Sequence, residues 1–305
     1  MSSQFMSRLF EPSLSSSEYQ IYSGDCREVL SSFEDESINC CVTSPPYWGL
    51  RDYGTDSQIG LEDDPKSFVE ELVGVFREVR RVLRDDGVLW LNLGDSYAGN
   101  NSRASNNGRA GFGAPREGVF SRTGEGLKPK DLVGIPWMVA LALREDGWYL
   151  RQDIIWHKPN PLPESVKDRC TKSHEYIFLL SKSQSYYFDY ESIREPAIGS
   201  TDDGLKNKRS VWTVPVRPYK GSHFATFPTD LIRPCILAGS PPGGVVLDPF
   251  GGSGTTVAVS LQEYRQGVAI ELNQEYLPLI QRRIDETIRS RDAEQEQLSL
   301  FSEGR

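Results

Sequence analysis

Metal-binding side chains are scarce in this 305-residue chain. It has three histidines (His157, His174, His223) and no C-x-x-C pair, so it lacks the donor spacing of a structural or catalytic metal site, and no metal is expected. The five cysteines (Cys26, Cys40, Cys41, Cys170, Cys235) are odd in number and too few for a disulfide framework. Adjacent Cys40 and Cys41 lie on an apolar run and read as buried thiols. No apolar run is long enough to span a bilayer, and the Ser-rich start lacks the apolar centre and cleavage pattern of a signal peptide. The expectation is a cytoplasmic protein with no membrane segment.

Positive charge is also lacking overall, since the formal net charge is −9. Its distribution says more than its sum. Asp25 to Asp86 holds fifteen acidic and seven basic residues, whereas Ala98 to Lys130 holds six basic and two acidic, and Lys206 to Lys220 five basic and none acidic. Charge alone reads those two basic segments as solvated loops.

What is present is an alternation of strand and helix patterns. Ile38 to Thr43 is a short apolar run that stops at a double proline, as a buried strand would. Lys66 to Leu83 carries apolar residues at helical spacing, Asp85-Asp86-Gly87 is expected to end that helix, and Val88 to Leu93 reads as the next strand. Gly94 to Lys130 loses apolar periodicity and becomes rich in Gly, Asn, Ser and Arg, the character of a long functional or disordered loop. A helix is predicted over 135–145, strands over 149–156 and 176–181, and a small polar and basic insertion outside the main sheet over 188–222. The C-terminal part reads helix (229–238), strand (244–248), glycine-rich turn, helix (255–264), strand (266–271) and helix (276–290). Such alternation at both ends of the chain predicts a mostly parallel α/β sheet with helices on both faces.

Asp248-Pro249-Phe250-Gly251-Gly252-Ser253-Gly254-Thr255-Thr256 follows a predicted strand and opens a helix. Glycines there allow a tight turn and close ligand approach, and the helix N-terminus offers free N–H groups. Glu271 ends the next strand, about 20 residues on, where a carboxylate can accept hydrogen bonds from ribose hydroxyls. No G-K-[ST] follows the glycines, which excludes a P-loop, although a dinucleotide pocket stays open on this segment alone.

Ser44-Pro45-Pro46-Tyr47 sits at a predicted strand end, where open α/β sheets place their active sites. The prolines hold the backbone extended, so that the Pro45 carbonyl and the Ser44 side chain can face one amino group, and Tyr47 offers an aromatic face to a planar base. An exocyclic amine is a poor nucleophile because its lone pair is delocalised into the ring. Fixed hydrogen-bond acceptors favour a more tetrahedral nitrogen that can attack a methylsulfonium.

Together these motifs resemble the DNA amino-methyltransferases, which share a [D/N/S]-P-P-[Y/F/W] motif and an F-x-G-x-G cofactor motif. The reaction motif comes first and the presumed recognition region lies between the two, the order of the permuted β-group. The resemblance spans roughly Tyr22 to Arg289. It implies a Rossmann-like S-adenosylmethionine-dependent methyltransferase fold with a small inserted recognition region, S-adenosylmethionine as cofactor and double-stranded DNA as partner. It further implies Ser44, Pro45, Pro46 and Tyr47 as catalytic residues. Asp25, Cys26, Thr229, Asp248, Phe250, Gly252, Gly254, Thr255 and Glu271 become the cofactor-binding residues. Asp25 reads equally as the N-cap of a helix over 27–30, and the two readings are compatible. Serine at the first motif position is associated in this family with cytosine N4, and aspartate or asparagine with adenine N6. Carbon-5 methylation fits poorly, since only Pro234-Cys235-Ile236 approaches the required cysteine motif.

With a reaction centre in view, the basic segments take on work: duplex DNA must be gripped at its phosphates while the target base is extruded. The expected contacts are Arg103, Arg109, Arg116, Lys206, Lys208, Arg209, Arg217 and Lys220. The expected organisation is a catalytic part over 20–97 and 130–187, a DNA-contact loop over 98–129, a recognition insertion over 188–222, a cofactor-binding part over 223–290, and flexible tails over 1–19 and 291–305. A cognate restriction endonuclease as partner, and a monomer or a homodimer, are both left open. Two rivals remain. One is methylation of an RNA base or a glutamine side chain, which the basic region and the permuted order disfavour. The other is a nucleic-acid-binding protein without catalysis, which the intact motifs disfavour.

Overall fold

The computed structural model describes residues 10–49, 58–99, 126–197, 204–216 and 227–303. Leu14–Ser15 (β1) and Tyr19–Ser23 (β2) form a hairpin, followed by Cys26–Ser31 (α1), Ile38–Thr43 (β3), Pro65–Val82 (α2), Leu83–Leu93 (β4), Ile135–Glu145 (α3), Tyr149–His157 (β5) and His174–Ser181 (β6). Glu195–Pro196 (β7) and Leu205–Lys206 (β8) make a separate two-stranded ribbon. Val211–Thr213 (β9), Thr229–Gly239 (α4), Val245–Asp248 (β10), Thr255–Gln262 (α5), Gln266–Glu271 (β11) and Leu277–Glu303 (α6) complete the described chain.

One sheet runs in the order β1-β2-β11-β10-β3-β4-β6-β5-β9. From β2 through β4 all neighbours are parallel, while β6 is antiparallel to both β4 and β5. This is the α/β fold that the alternating pattern predicts. The chain leaves β3 towards β4 on one side and β10 towards β11 on the other, so β3 and β10, which pair directly, flank a switch in strand order. In open α/β sheets the crevice at such a switch, beyond the strands' carboxyl ends, is where ligands bind.

Local signals account for the helices that frame the sheet. Asp64 caps α2 by accepting from the backbone N–H groups of Lys66 and Ser67 at 2.8 and 3.0 Å, and Pro65 opens the helix, where its missing donor costs nothing. The apolar stripe of α2, including Phe68, Leu72, Phe76 and Val79, is fully buried in one core with Leu89, Leu91, Phe178 and Leu180 of the sheet. The opposite face packs Cys40, Val42, Trp90, Ile177 and Leu179 against Leu231, Cys235 and Ile236 of α4. Successive strand residues point to opposite faces, so buried, unbridged Cys40 and Cys41 belong to different cores.

Three expectations need correction. Asp85-Asp86-Gly87 does not end α2. The helix stops at Val82, and β4 begins at Leu83, which pairs with Ile38 across a bulge. Residues 188–222 are not wholly outside the sheet, because β9 joins its edge beside β5. The cause is Trp212, buried with its ring centroid 6.3 Å from that of Trp90, in a strand too short to show a periodic signal. The described parts of the tails carry regular structure, contrary to expectation: β1 pairs with β2, and α6 continues to Glu303, with Arg291 held by Glu18 at 2.6 Å. No described helix is long and apolar enough to cross a membrane.

Helix α5 lies close on β11, with Val257 set directly against Gly267. A Cβ there would come within 2.7 Å of Val257 Cγ1 and 3.0 Å of Val257 Cα, and the latter cannot swing aside. Gly267→Ala is expected to destabilise the protein by about 1–3 kcal/mol in urea unfolding. An unchanged midpoint would contradict this packing.

Candidate active site

A cavity of about 240 Å³ opens at the carboxyl ends of β2, β3, β10 and β11 and reaches the end of β4. Its first half is built from the β2–α1 turn (Gly24, Asp25, Cys26), the turn after β10 (Asp248 to Ser253, then Thr255) and the end of β11 (Ile270 to Asn273), with Tyr276 beyond. Its second half holds Ser44, Pro45, Pro46 and Tyr47 after β3, Asn92 of β4, Trp156 and Lys158 around the end of β5, and Glu175 of β6. The two motifs distant in sequence therefore share one space.

One buried carboxylate joins them. Asp248 accepts from Thr43 Oγ1 at 2.6 Å, from Thr256 Oγ1 at 2.7 Å and from the Phe250 N–H at 3.1 Å. Burial raises its pKa to about 6 despite these donors. Glu271 accepts from the Gly252 N–H at 2.6 Å and the Asn273 N–H at 2.8 Å, and burial lifts it to about 7 against the same kind of opposition. Asp25 plays the part of N-cap, accepting from the Arg27 N–H at 2.9 Å, while still lining the cavity. Burial pushes its carboxyl up, but the hydrogen bonds and charge of Arg27 prevail and hold it below the ordinary carboxylate value. Burial raises the Cys26 thiol to about 12, so this cavity residue stays a neutral thiol.

Not every residue singled out from sequence meets the cavity. Thr229 is exposed at the start of α4 and outside its walls, where Phe227 stands instead. Gly254 does not line it either. That glycine caps α5 with φ +74, and a Cβ there would meet Ile280 at 2.9 Å, so helix packing explains it. Lys206 and Arg209 pair with Glu195 at 3.6 and 3.0 Å, and Lys208 lies over the Trp212 ring at 5.0 Å, all away from the cavity. Arg103, Arg109, Arg116, Arg217 and Lys220 lie outside the described residues, as does 50–57 after the proline motif.

Sequence reading missed Asn92 and Glu175, and matched the segment Trp156 to Pro161 to the family without giving Lys158 a role. Asn92 had a signal, being the one polar side chain in the apolar run Val88 to Leu93. Glu175 had none, because it begins its strand instead of ending it.

The first half of the cavity suits a nucleoside that carries no phosphate. Asp25, Asp248 and Glu271 line it, the Phe250, Ile270, Leu272 and Tyr276 side chains supply apolar surface, and no described Lys or Arg lines this half. Such a wall offers no countercharge to a phosphate and favours hydroxyls and a cationic centre. Among the described residues no group of three or more His, Cys, Asp or Glu could hold a metal ion.

Fold and cavity together define an α/β protein with an acidic crevice, suited to a nucleoside, that opens onto a second, proline-framed space. The DNA methylase family of the N6/N4 type matches residues 38–282, and the chain belongs to it. It is 55% identical over 270 residues to the Type II methyltransferase M.SmaI of Serratia marcescens, covering 87% of this chain and 90% of that protein. It is 53% identical over 271 residues to M.Cfr9I of Citrobacter freundii, covering 87% of each. Among solved structures, the cytosine-N4-specific PvuII DNA methyltransferase shares the fold, with a TM-score of 0.67 over 93% of this chain and 95% of that one at 20% identity. TTHA0409 from Thermus thermophilus, solved with S-adenosyl-L-methionine, gives a TM-score of 0.62 over 88% and 94% at 27% identity.

The raised carboxyls make stability depend on pH in a defined direction. Between its ordinary value of 4.5 and about 7, Glu271 holds a proton in the folded protein that the unfolded chain has released, so stability falls as pH rises through that window. Asp248 acts alike between 3.8 and about 6, leaving pH 6 to 7 mainly to Glu271. Without cofactor, wild-type protein is expected to lose stability from pH 6 to 7 by up to about 1.4 kcal/mol more than Glu271→Gln does. Equal slopes in urea titrations at the two pH values would refute a raised Glu271.

Proposed function

We propose that this DNA methylase transfers a methyl group from S-adenosylmethionine to the N4 amino group of cytosine in duplex DNA. The observation that carries the reading is the joining of Ser44-Pro45-Pro46-Tyr47 and the acidic nucleoside half in one cavity. In this reading Glu271 accepts from the ribose hydroxyls, the Gly24-Asp25-Cys26 turn meets the adenine, and Phe250, Gly252 and Thr255 border the rest of the cofactor. When bound, the cofactor supplies the methyl group as an electrophile on a positively charged sulfur, a charge that the neighbouring carboxylates favour.

The acceptor side prepares the nucleophile. Ser44 Oγ and the Pro45 carbonyl accept hydrogen bonds from the amino group, which draws the lone pair out of conjugation and towards the donor. Tyr47 stacks on the extruded base. Serine at the first motif position, with the pattern that resemblance associates with it, supports cytosine over adenine. Residues 98–130 and 206–220 grip the DNA phosphates and frame the target. A place in restriction-modification, with a cognate endonuclease as partner, is in keeping with Type II relatives.

The test incubates the protein with labelled S-adenosylmethionine and duplex DNA, RNA or protein, followed by digestion and identification of the product. N4-methylcytosine is expected. N6-methyladenine would overturn the choice of base, and label in RNA or protein but not in DNA would overturn the reading. Ser44→Ala and Tyr47→Ala are expected to cut methyl transfer by about 100-fold or more while changing cofactor affinity by less than about threefold. Parallel loss of both would contradict the assigned roles.

A further inference from the structure

The acceptor half contains a half-hidden ion pair that methyl transfer does not by itself require. Glu175 and Lys158 are paired, with side chains 16% and 18% exposed. Glu175 Oε2 also accepts from the Tyr47 hydroxyl at 2.9 Å and from Asn92 Nδ2 at 3.3 Å. Asn92 is itself fixed through Nδ2 to the Tyr176 carbonyl at 3.0 Å, and Lys158 Nζ lies 4.1 Å from the Trp156 ring centroid. Behind the tyrosine, the backbone is so close that a Cβ on Gly94 would come within 2.6 Å of Tyr47 Cε2. Removing a carboxylate and an ammonium from water costs several kcal/mol, which close pairing and further hydrogen bonds must offset. A tyrosine serving only as a flat surface has no need of such an anchor.

We infer that Glu175 is a positioning residue for the methyl-accepting base, acting through the hydroxyl of Tyr47, with Lys158 as its countercharge and Asn92 as a second anchor. The inference rests on Tyr47 being the residue that meets the base. The Tyr47 ring is held at its far end by Glu175 and flanked by Gly94, so its plane is set before a base arrives. A base stacked on a fixed plane brings its amino group to Ser44 and Pro45 in one orientation. Releasing the hydroxyl lets the ring turn, and a misplacement of about 1 Å at the reacting atoms can cost about 100-fold in rate.

Single-turnover methyl transfer to a duplex bearing the mapped target, at saturating S-adenosylmethionine, tests this. The fluorescence of 2-aminopurine placed at the target position reports ordering of the extruded base. Tyr47→Phe and Glu175→Ala are each expected to slow transfer by about 10- to 100-fold and to change the 2-aminopurine signal, with the cofactor dissociation constant within about twofold of wild type. Glu175→Gln keeps an acceptor for the hydroxyl and should restore most of the rate. The double variant Tyr47→Phe/Glu175→Ala should be no slower than the slower single variant. Losses that multiply in the double variant, a Glu175→Ala rate equal to wild type, or weakened cofactor binding in step with the rate would overturn the inference while leaving the proposed function standing. Wild-type protein that transfers no methyl group to DNA would overturn both.

Discussion

The site depends on the hydrogen bonds made by one carboxylate. Asp248 ends β10, and its two oxygens reach Thr43, the last residue of β3, and Thr256, in the first turn of α5. Thr43 immediately precedes Ser44, and Asp248 immediately precedes the glycine turn. A single buried group thus ties the start of the proline motif to the start of the glycine turn. Its burial is costly enough to raise its pKa to about 6, so the contact is retained against a penalty that an apolar pair would avoid. An apolar pair would have no directional preference and could not fix two loop origins to within a hydrogen bond's tolerance.

The two halves of the cavity differ in how the sheet serves them. The nucleoside half follows the parallel rule, with each contributing strand ending at the crevice. The acceptor half departs from it, because β6 runs antiparallel between β4 and β5 and therefore brings its beginning to the same rim. His174 pairs with His157 and Glu175 with Trp156 in that register, which sets Glu175 across from the residue two before Lys158 in one wall. The antiparallel strand is what lets a carboxylate near its beginning reach the Tyr47 hydroxyl.

This geometry explains what was legible in the sequence. Ser44 and Asp248 could be read as cavity residues because each stands at a strand end and is followed by proline, and Glu271 because it ends the strand that follows the glycine turn. The helix over 135–145 was equally plain, since its apolar spacing is decided by burial on one face. The strand β9 was not, because three residues carry no period and their place depends on Trp212 finding Trp90. Glu175 was invisible for a related reason. Its role depends on the direction of a strand, and direction is settled by partners far along the chain. Gly254 shows the converse, a residue that fits a ligand motif while the physical demand for glycine comes from Ile280 on α6.

The strand order has a consequence for how the protein is made. β10 and β11 are inserted between β2 and β3, which are near neighbours in sequence. Until residues 245–271 have left the ribosome, a growing chain can form β3, β4, β6 and β5 as a partial sheet, but the edge of β3 stays bare and Thr43 has no Asp248. Closing the gap requires contacts across some 200 residues, the kind of long-range pairing that folds slowly. A truncated translation product could therefore display the proline motif without a donor pocket beside it, and would be more prone to edge-to-edge association than to catalysis.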